Sequence, residues 1–199
     1  MTTLEGAQVG ILLRTAVYTP RGKLVQEHIQ PGHSFVLAFA AIFNNLFSEA
    51  GQLATIPDTG NTSRTLASGN QVSGLRVDAA AAEATFGIVV GTGTNAVAMT
   101  DYALQTRIDE GTSSGQLSHL AVAFGPLGTA TTARYINIIR TFQNNSGATI
   151  SPTEAALYAE APYTGPVIGI FCIARDLISA SVGAGQLLVV QYQLAFNLT

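Results

Sequence analysis

Two glycine-rich segments and a few scattered polar side chains are the places where this chain of 199 residues could do chemistry. Gly111-Thr-Ser-Ser-Gly115 has the GxSxG form of a nucleophile elbow, in which a serine sits on a sharp turn between a strand and a helix. The next residues, Gln116-Leu-Ser-His-Leu-Ala-Val122, read as another strand, and His119 lies too near along that strand to act simply as the base. The second segment, Gly91-Thr-Gly-Thr-Asn-Ala96, has the GxGxxA form and comes after the apolar run Gly87–Val90. A dinucleotide site needs a helix at that point, so that its N-terminal amides meet the pyrophosphate. Val97-Ala-Met-Thr-Asp101 is too short and too β-branched for one, and no second βαβ unit appears. Neither segment supports a hydrolase or a nucleotide cofactor, and the chain is read as a non-enzyme without a cofactor.

The other reactive residue types do not converge either. His28, His33 and His119 are scattered and show no metal-ligand spacing. Asp101, Asp109 and Glu110 cluster without the spacing of an EF-hand loop and read as solvated loop acids. Cys172, the single cysteine, lies in Ile168-Gly-Ile-Phe-Cys-Ile173 and reads as a small buried hydrophobe. Three charged residues are candidates for a structural role. Arg140 and Arg175 each sit at the end of an apolar strand, next to a turn, where a guanidinium can close carbonyls or meet a carboxylate. Asp176 points to the opposite strand face from Arg175. Glu154, across the Asn144–Gly147 turn, is the expected partner of Arg140.

Composition narrows the class. Hydrophobic residues make up 47% of the chain and charged residues 11%, against about 25% charged in an average soluble protein. Disorder requires the opposite balance. The net charge is −3, with Lys23 the sole lysine, so no basic patch is available for phosphates and nucleic acid is not an expected partner. No basic start or apolar h-region marks a signal peptide, and no apolar run approaches the ~20 residues that span a bilayer. Asn61-Thr-Ser63 and Asn197-Leu-Thr199 match glycosylation sequons by chance. So few charges on a surface of this size suggest that other subunits cover part of it.

The elements that must position these residues are mostly strands. Residues 8–18 and 23–29 read as a hairpin around Thr19-Pro-Arg-Gly22. After Pro31-Gly32, with Ser34 as a cap, an amphipathic helix carries Phe35, Phe39, Phe43 and Phe47 on one stripe. That stripe packs on the domain's own sheet or contacts another subunit. Residues 52–84 read as a long irregular region. From residue 85 onward strands alternate with turns: 85–90, 117–124, 131–142, 166–174 and 186–198, with 154–158 either strand or helical turn. In the last strand Leu188, Val190, Tyr192, Leu194 and Phe196 share a face, so it is expected to be interior or intersubunit. The expected fold is mainly β: a single domain over 1–199, with a hairpin, helix and extended-loop region over 1–84. Residues 85–199 would form an antiparallel β-sandwich core, jelly-roll or immunoglobulin-like.

Three stretches carry a resemblance: GIVVGTGTNAVAMTDYALQTRIDEG, INIIRTFQNNSGATISPTEAALYA and CIARDLISASVGAGQLLVVQYQLAF. A glycine-threonine turn leads to an Asp-Tyr-Ala-Leu segment. An Arg-Thr-Phe strand then runs into an Asn-x-Ser-Gly turn, and an Arg-Asp pair precedes a glycine turn and a final apolar strand. Taken together they resemble a β-rich pattern in structural proteins of tailed-bacteriophage virions. The resemblance implies a non-enzymatic virion component, in head, neck, tail or fibre, that forms homo-oligomers and touches other virion proteins. The alternative is a receptor- or carbohydrate-binding module of a tail fibre, which needs exposed loop aromatics; Tyr102, Tyr158 and Tyr163 are the candidates.

Overall fold

The computed structural model describes residues 7–32, 35–46, 55–66, 74–126, 128–129, 133–164 and 167–198. The fold is mainly β, with antiparallel sheets and one short helix among these residues. The chain opens with a hairpin of β1 (Ala7–Tyr18) and β2 (Leu24–Gly32). Its turn is closed by the Gly22 N–H donating to the Thr19 carbonyl at 2.9 Å. Gly22 has a φ of 77°, a left-handed conformation that side chains resist. Helix α1 (Leu37–Leu46) is next. Then come a short hairpin of β3 (Thr55–Pro57) and β4 (Ser63–Thr65), strand β5 (Gly87–Gly91), and three two-residue pieces, β6 (Ser118–His119), β7 (Ala123–Phe124) and β8 (Gly128–Thr129). Four long strands complete the chain: β9 (Ala133–Gln143), β10 (Glu154–Thr164), β11 (Val167–Leu177) and β12 (Leu187–Leu198).

The larger sheet runs β2-β1-β12-β9, and β6, β7 and β8 succeed one another along the outer edge of β9. From His119 to Ala123 the chain advances four residues while its partners on β9, Phe142 and Ile139, differ by three. The same one-residue excess recurs between Phe124 and Gly128. The interruption between His119 and Ala123 is thus a bulge that turns backbone groups away from the ladder. The smaller sheet runs β11-β10-β5. Buried side chains from both sheets, among them Leu13, Phe142 and Leu188 of one and Ile88, Leu157 and Phe171 of the other, join in a single apolar core.

The last strand is the most deeply embedded. β12 lies between β1 and β9 and pairs with both along nearly its whole length. Leu188, Val190 and Tyr192 are fully buried on its core face, as an alternating strand with one apolar side requires. The first hairpin therefore belongs to the central sheet, and a division at residue 84 does not separate core from appendage. The region expected to be irregular also contains β3 and β4, whose turn is organised by Asp58. Its Oδ1 accepts from the Gly60 and Thr62 N–H groups at 2.9 Å each, and its Oδ2 meets Arg64 Nε at 2.7 Å.

Candidate functional site

Glu154 opens β10 and is fully buried. A buried carboxylate is tolerable only if its oxygens are satisfied. Here Oε1 accepts from the backbone N–H groups of Gly93 and Thr106, at 2.9 and 3.0 Å. Oε2 takes Arg175 Nε at 3.0 Å and Nη2 at 2.9 Å, with the Gln105 N–H at 3.2 Å. Arg175 also donates to Asp101 Oδ2 at 2.9 Å and to the Asn95 carbonyl at 3.2 Å. Burial alone would lower the arginine's pKa, but the bonds to Asp101 and Glu154 outweigh it and raise it. The result is a buried ion cluster that ties the loop 92–106 to β10 and β11.

This geometry explains the GxGxxA segment. A Cβ on Gly91 would lie 2.6 Å from Glu154 Oε1 and 2.5 Å from the Thr106 carbonyl; one on Gly93 would lie 2.5 Å from Oε1. The glycines let backbone amides close on an anion, as in a phosphate loop, but the anion is the chain's own Glu154. The continuation through residues 92–101 is irregular rather than helical.

The expected pairing of Arg140 with Glu154 is corrected. The Asn144–Gly147 turn does not fold β9 back onto β10. β9 pairs with β12, and β10 lies in the other sheet. Arg175 reaches Glu154 instead because Ala156 stands opposite Arg175 and Glu154 opposite Leu177, which makes the two charges diagonal neighbours on one face. Arg140, fully buried in β9, serves backbone carbonyls: Leu120 at 2.8 Å, Ile88 at 2.9 Å, Phe86 and Ala80 at 3.3 Å each, and Glu83. Leu120 lies at the bulge between His119 and Ala123, where its carbonyl has left the ladder. Burial lowers the pKa of Arg140 to about 10, partly opposed by the charges of Glu110 and Glu83, so it remains cationic at neutral pH.

The GxSxG segment is not an elbow. Residues 111–115 form an exposed turn in which the Ser113 N–H donates to Gln116 Oε1 at 3.1 Å, and neither a preceding strand nor a following helix frames it. His119 is buried in β6, edge-on to Phe142 with ring centroids 5.0 Å apart. Burial first, then the charges of Arg140 and Arg107, lower its pKa to about 4. Its backbone N–H donates to Glu110 at 2.5 Å. Asp109 faces Arg107 at 3.3 Å. Of the three clustered acids read as solvated, Asp109 is exposed beside Arg107, whereas Asp101 pairs with the buried Arg175 and Glu110 accepts from the His119 N–H. Cys172 is buried, which pushes its thiol pKa up. Tyr158 is buried too; its hydroxyl accepts from the Leu104 N–H at 2.6 Å. Tyr192 is fully buried in the core, and burial first, then the charge of Asp176, holds its ionisation well above the usual range.

Of the two placements expected for the phenylalanine stripe, the chain's own sheet does not bury it along its length. Val36, Ala38 and Ile42 are the buried side of the helical region. Phe35 and Phe39 are half-buried, Phe43 is exposed, and Phe47 lies outside the described residues. The cause is how the helix is held. The Val36 N–H donates to the Ile173 carbonyl at 3.2 Å and the Leu37 N–H to the Met99 carbonyl at 3.0 Å. That seating turns the phenylalanines sideways, where they stack on one another with centroid spacings of 3.7 and 5.6 Å. Phe39 and Phe43 then line an apolar pocket of about 590 Å³ together with Val77, Phe124, Ile138 and Leu157.

Asp101 and the amides of Gly93 and Thr106 were not legible as partners of Glu154. The available signal was an arginine inside an apolar strand in a chain with few acids, which demands a carboxylate without naming it. No protein family, curated protein or solved structure matches the chain. Among the described residues no group of three or more His, Cys, Asp or Glu is placed to hold a metal ion, and no helix is long and apolar enough to cross a membrane.

Proposed function

We propose that the chain is a non-enzymatic structural component of a bacteriophage virion, acting through self-assembly and contacts with other virion proteins. In this reading its two larger sheets are the layers of an antiparallel β-sandwich, a view supported by their shared apolar core. The resemblance over residues 87–196 supports the virion assignment. The observation that carries the structural role is how the polar chemistry is used. Glu154, Arg175 and Arg140, the groups best suited to a catalytic site, are buried and bound to the chain's own backbone and to each other. Apolar side chains remain exposed instead, including Leu24, Val25 and Ile29 on the edge strand β2. Such a surface recruits partners, since covering it releases water at about 25 cal/mol per Å².

The receptor- or carbohydrate-binding alternative is less well supported. Of its three candidate aromatics only Tyr102 is exposed; Tyr158 is buried, and Tyr163 lies half-buried under Arg64 at 4.4 Å. The deciding experiment is quantitative mass spectrometry and antibody labelling of purified phage particles carrying this chain. Many copies at a fixed position in the particle are expected. Absence from particles, or a catalytic turnover by the purified chain, overturns the proposal.

A further inference from the structure

We infer that two copies of this chain pack through the outer face of the larger sheet, related by a two-fold axis that runs along the strands between β1 and β12. This rests on the self-assembly reading and names the surface that carries it.

Strand register defines the face. Leu13, Thr15 and Val17 of β1 and Leu188, Val190 and Tyr192 of β12 turn into the core. Side chains alternate along a strand, so Leu12, Arg14 and Ala16 turn outward, paired in register with Gln193, Gln191 and Val189. Among the described residues no helix or hairpin is laid over this face. Helix α1 and the β3–β4 turn are tied to the smaller sheet instead, the Val36 N–H donating to the Ile173 carbonyl and the Thr59 N–H to the Ile170 carbonyl.

A sheet face that meets water ordinarily carries many charged side chains. The outward positions of these four strands hold only Arg14 and Glu27, which neutralise each other at 2.7 Å. Other polar side chains are satisfied within the plane of the face. Gln191 and Gln193 both donate to Asn137 Oδ1, at 3.0 and 2.9 Å, and Arg14 donates to the Tyr18 hydroxyl at 2.9 Å. Polar groups already bonded to one another can be covered without being left unpaired. Between them lie Leu12 and Ile29, both exposed, and the half-buried Val189 and Ile139. A neutral, partly apolar face can meet its own copy without charge repulsion, so the occupant it suits is a second copy.

The size of the face agrees. All four strands pair side by side over Ile11–Tyr18. At 4.8 Å per strand and 3.3 Å per residue that patch measures roughly 19 by 27 Å, or about 500 Å² on each copy before side-chain relief adds to it. Two copies together cover at least about 1,000 Å², where stable interfaces begin.

Arg14 chooses the axis. It sits near the middle of the patch, so a two-fold across the strands would set β1 on the partner's β1 and bring two guanidinium groups together. A two-fold along the strands sets β1 on the partner's β12 instead. Arg14 then meets Gln191 of the partner subunit, and Glu27 meets Thr141 of the partner subunit, because each pair shares a row of the sheet. The mean strand directions of the two sheets remain within about 30° of each other, as in aligned sheet packing. The contact is isologous and closes as a pair.

The test uses full-length chains in sedimentation velocity. The unaltered chain is expected to dimerise. Thr141 stands three strands from Glu27 in its own sheet, about 14 Å, so a charge placed there acts chiefly on the partner's Glu27. Thr141→Glu is expected to weaken the dimer roughly tenfold or more, and Thr141→Arg to keep it. Circular dichroism and urea midpoints check folding, and Leu12→Glu, at an exposed position of the face, replaces Thr141→Glu if that variant does not fold. Met99→Glu, exposed beside α1, is expected to leave the dimer unchanged. A dimer that survives both Thr141→Glu and Leu12→Glu, or that Thr141→Arg weakens as much as Thr141→Glu, overturns the inference. A chain that stays monomeric up to its solubility limit overturns it as well. Absence of the chain from particles, with the dimer intact, instead defeats the virion reading and leaves this inference standing.

Discussion

Replacing Glu154 with glutamine tests the buried cluster with the smallest change of shape. A glutamine side chain has one acceptor oxygen and one donor NH2 where glutamate has two acceptors. If the oxygen takes the Oε1 position, it keeps the bonds from Gly93 and Thr106. The NH2 then faces the Arg175 guanidinium, where Oε2 now lies 2.9–3.0 Å away. If the amide flips, the NH2 opposes two backbone N–H groups instead. Either orientation sets donor against donor and takes the fully buried carboxylate away from a buried arginine, while the bond to Asp101 stays. Breaking a buried pair from one side costs about 3–5 kcal/mol. With a urea dependence of about 2 kcal/mol per M for a domain of this size, the midpoint falls by roughly 1.5–2.5 M. Arg175→Met added to Glu154→Gln removes the stranded charge and should recover part of the loss, a coupling of about 1–3 kcal/mol in the double-mutant cycle. Equilibrium urea unfolding monitored by circular dichroism measures Glu154→Gln, Arg175→Met and their combination. A loss below ~1 kcal/mol for Glu154→Gln, the range of an exposed pair, would refute the argument.

The same geometry sets four further outcomes. His119 has a folded pKa of about 4 against an ordinary value of 6.5, so the fold favours its neutral form. Its contribution is complete above pH 6.5 and falls by about 1.4 kcal/mol per pH unit down to pH 4 as the unfolded chain gains the proton; stability measured across that window should flatten in His119→Phe. Gly93→Ala drives a methyl to 2.5 Å from Glu154 Oε1 and should cost about 1–3 kcal/mol in thermal or urea unfolding. Phe39→Ala, at a half-buried pocket wall, should cost only about 1–2 kcal/mol, and a loss near that of a fully buried phenylalanine would show that the pocket is closed in solution. Removing residues 187–199 deletes the strand between β1 and β9 and should leave the chain unable to fold, whereas a soluble, cooperatively unfolding truncation would contradict the sheet order.

Strands were legible in the sequence because alternation and turn chemistry are local. The hairpin around Gly22, the long strand ending at Gln143 and the alternation of Leu188, Val190 and Tyr192 can all be read from residue types at a spacing of two. Equally legible was that Arg140 and Arg175, charged residues within apolar strands, need partners. Which partners they have was decided by pairing register and sheet assignment, which depend on residues far apart in the chain. Glu154 meets Arg175 because β10 and β11 align it two positions from the residue opposite the arginine. Arg140 closes carbonyls because β9 was drawn into the other sheet by β12. The GxG spacing announced a close backbone approach, but the anion it encloses lies 61 residues away. On the helix, periodicity identified an aromatic row without its rotation. The Ile173 and Met99 carbonyls set that rotation by accepting the Val36 and Leu37 N–H groups, and so Val36, Ala38 and Ile42 entered the core while the phenylalanines became a pocket wall.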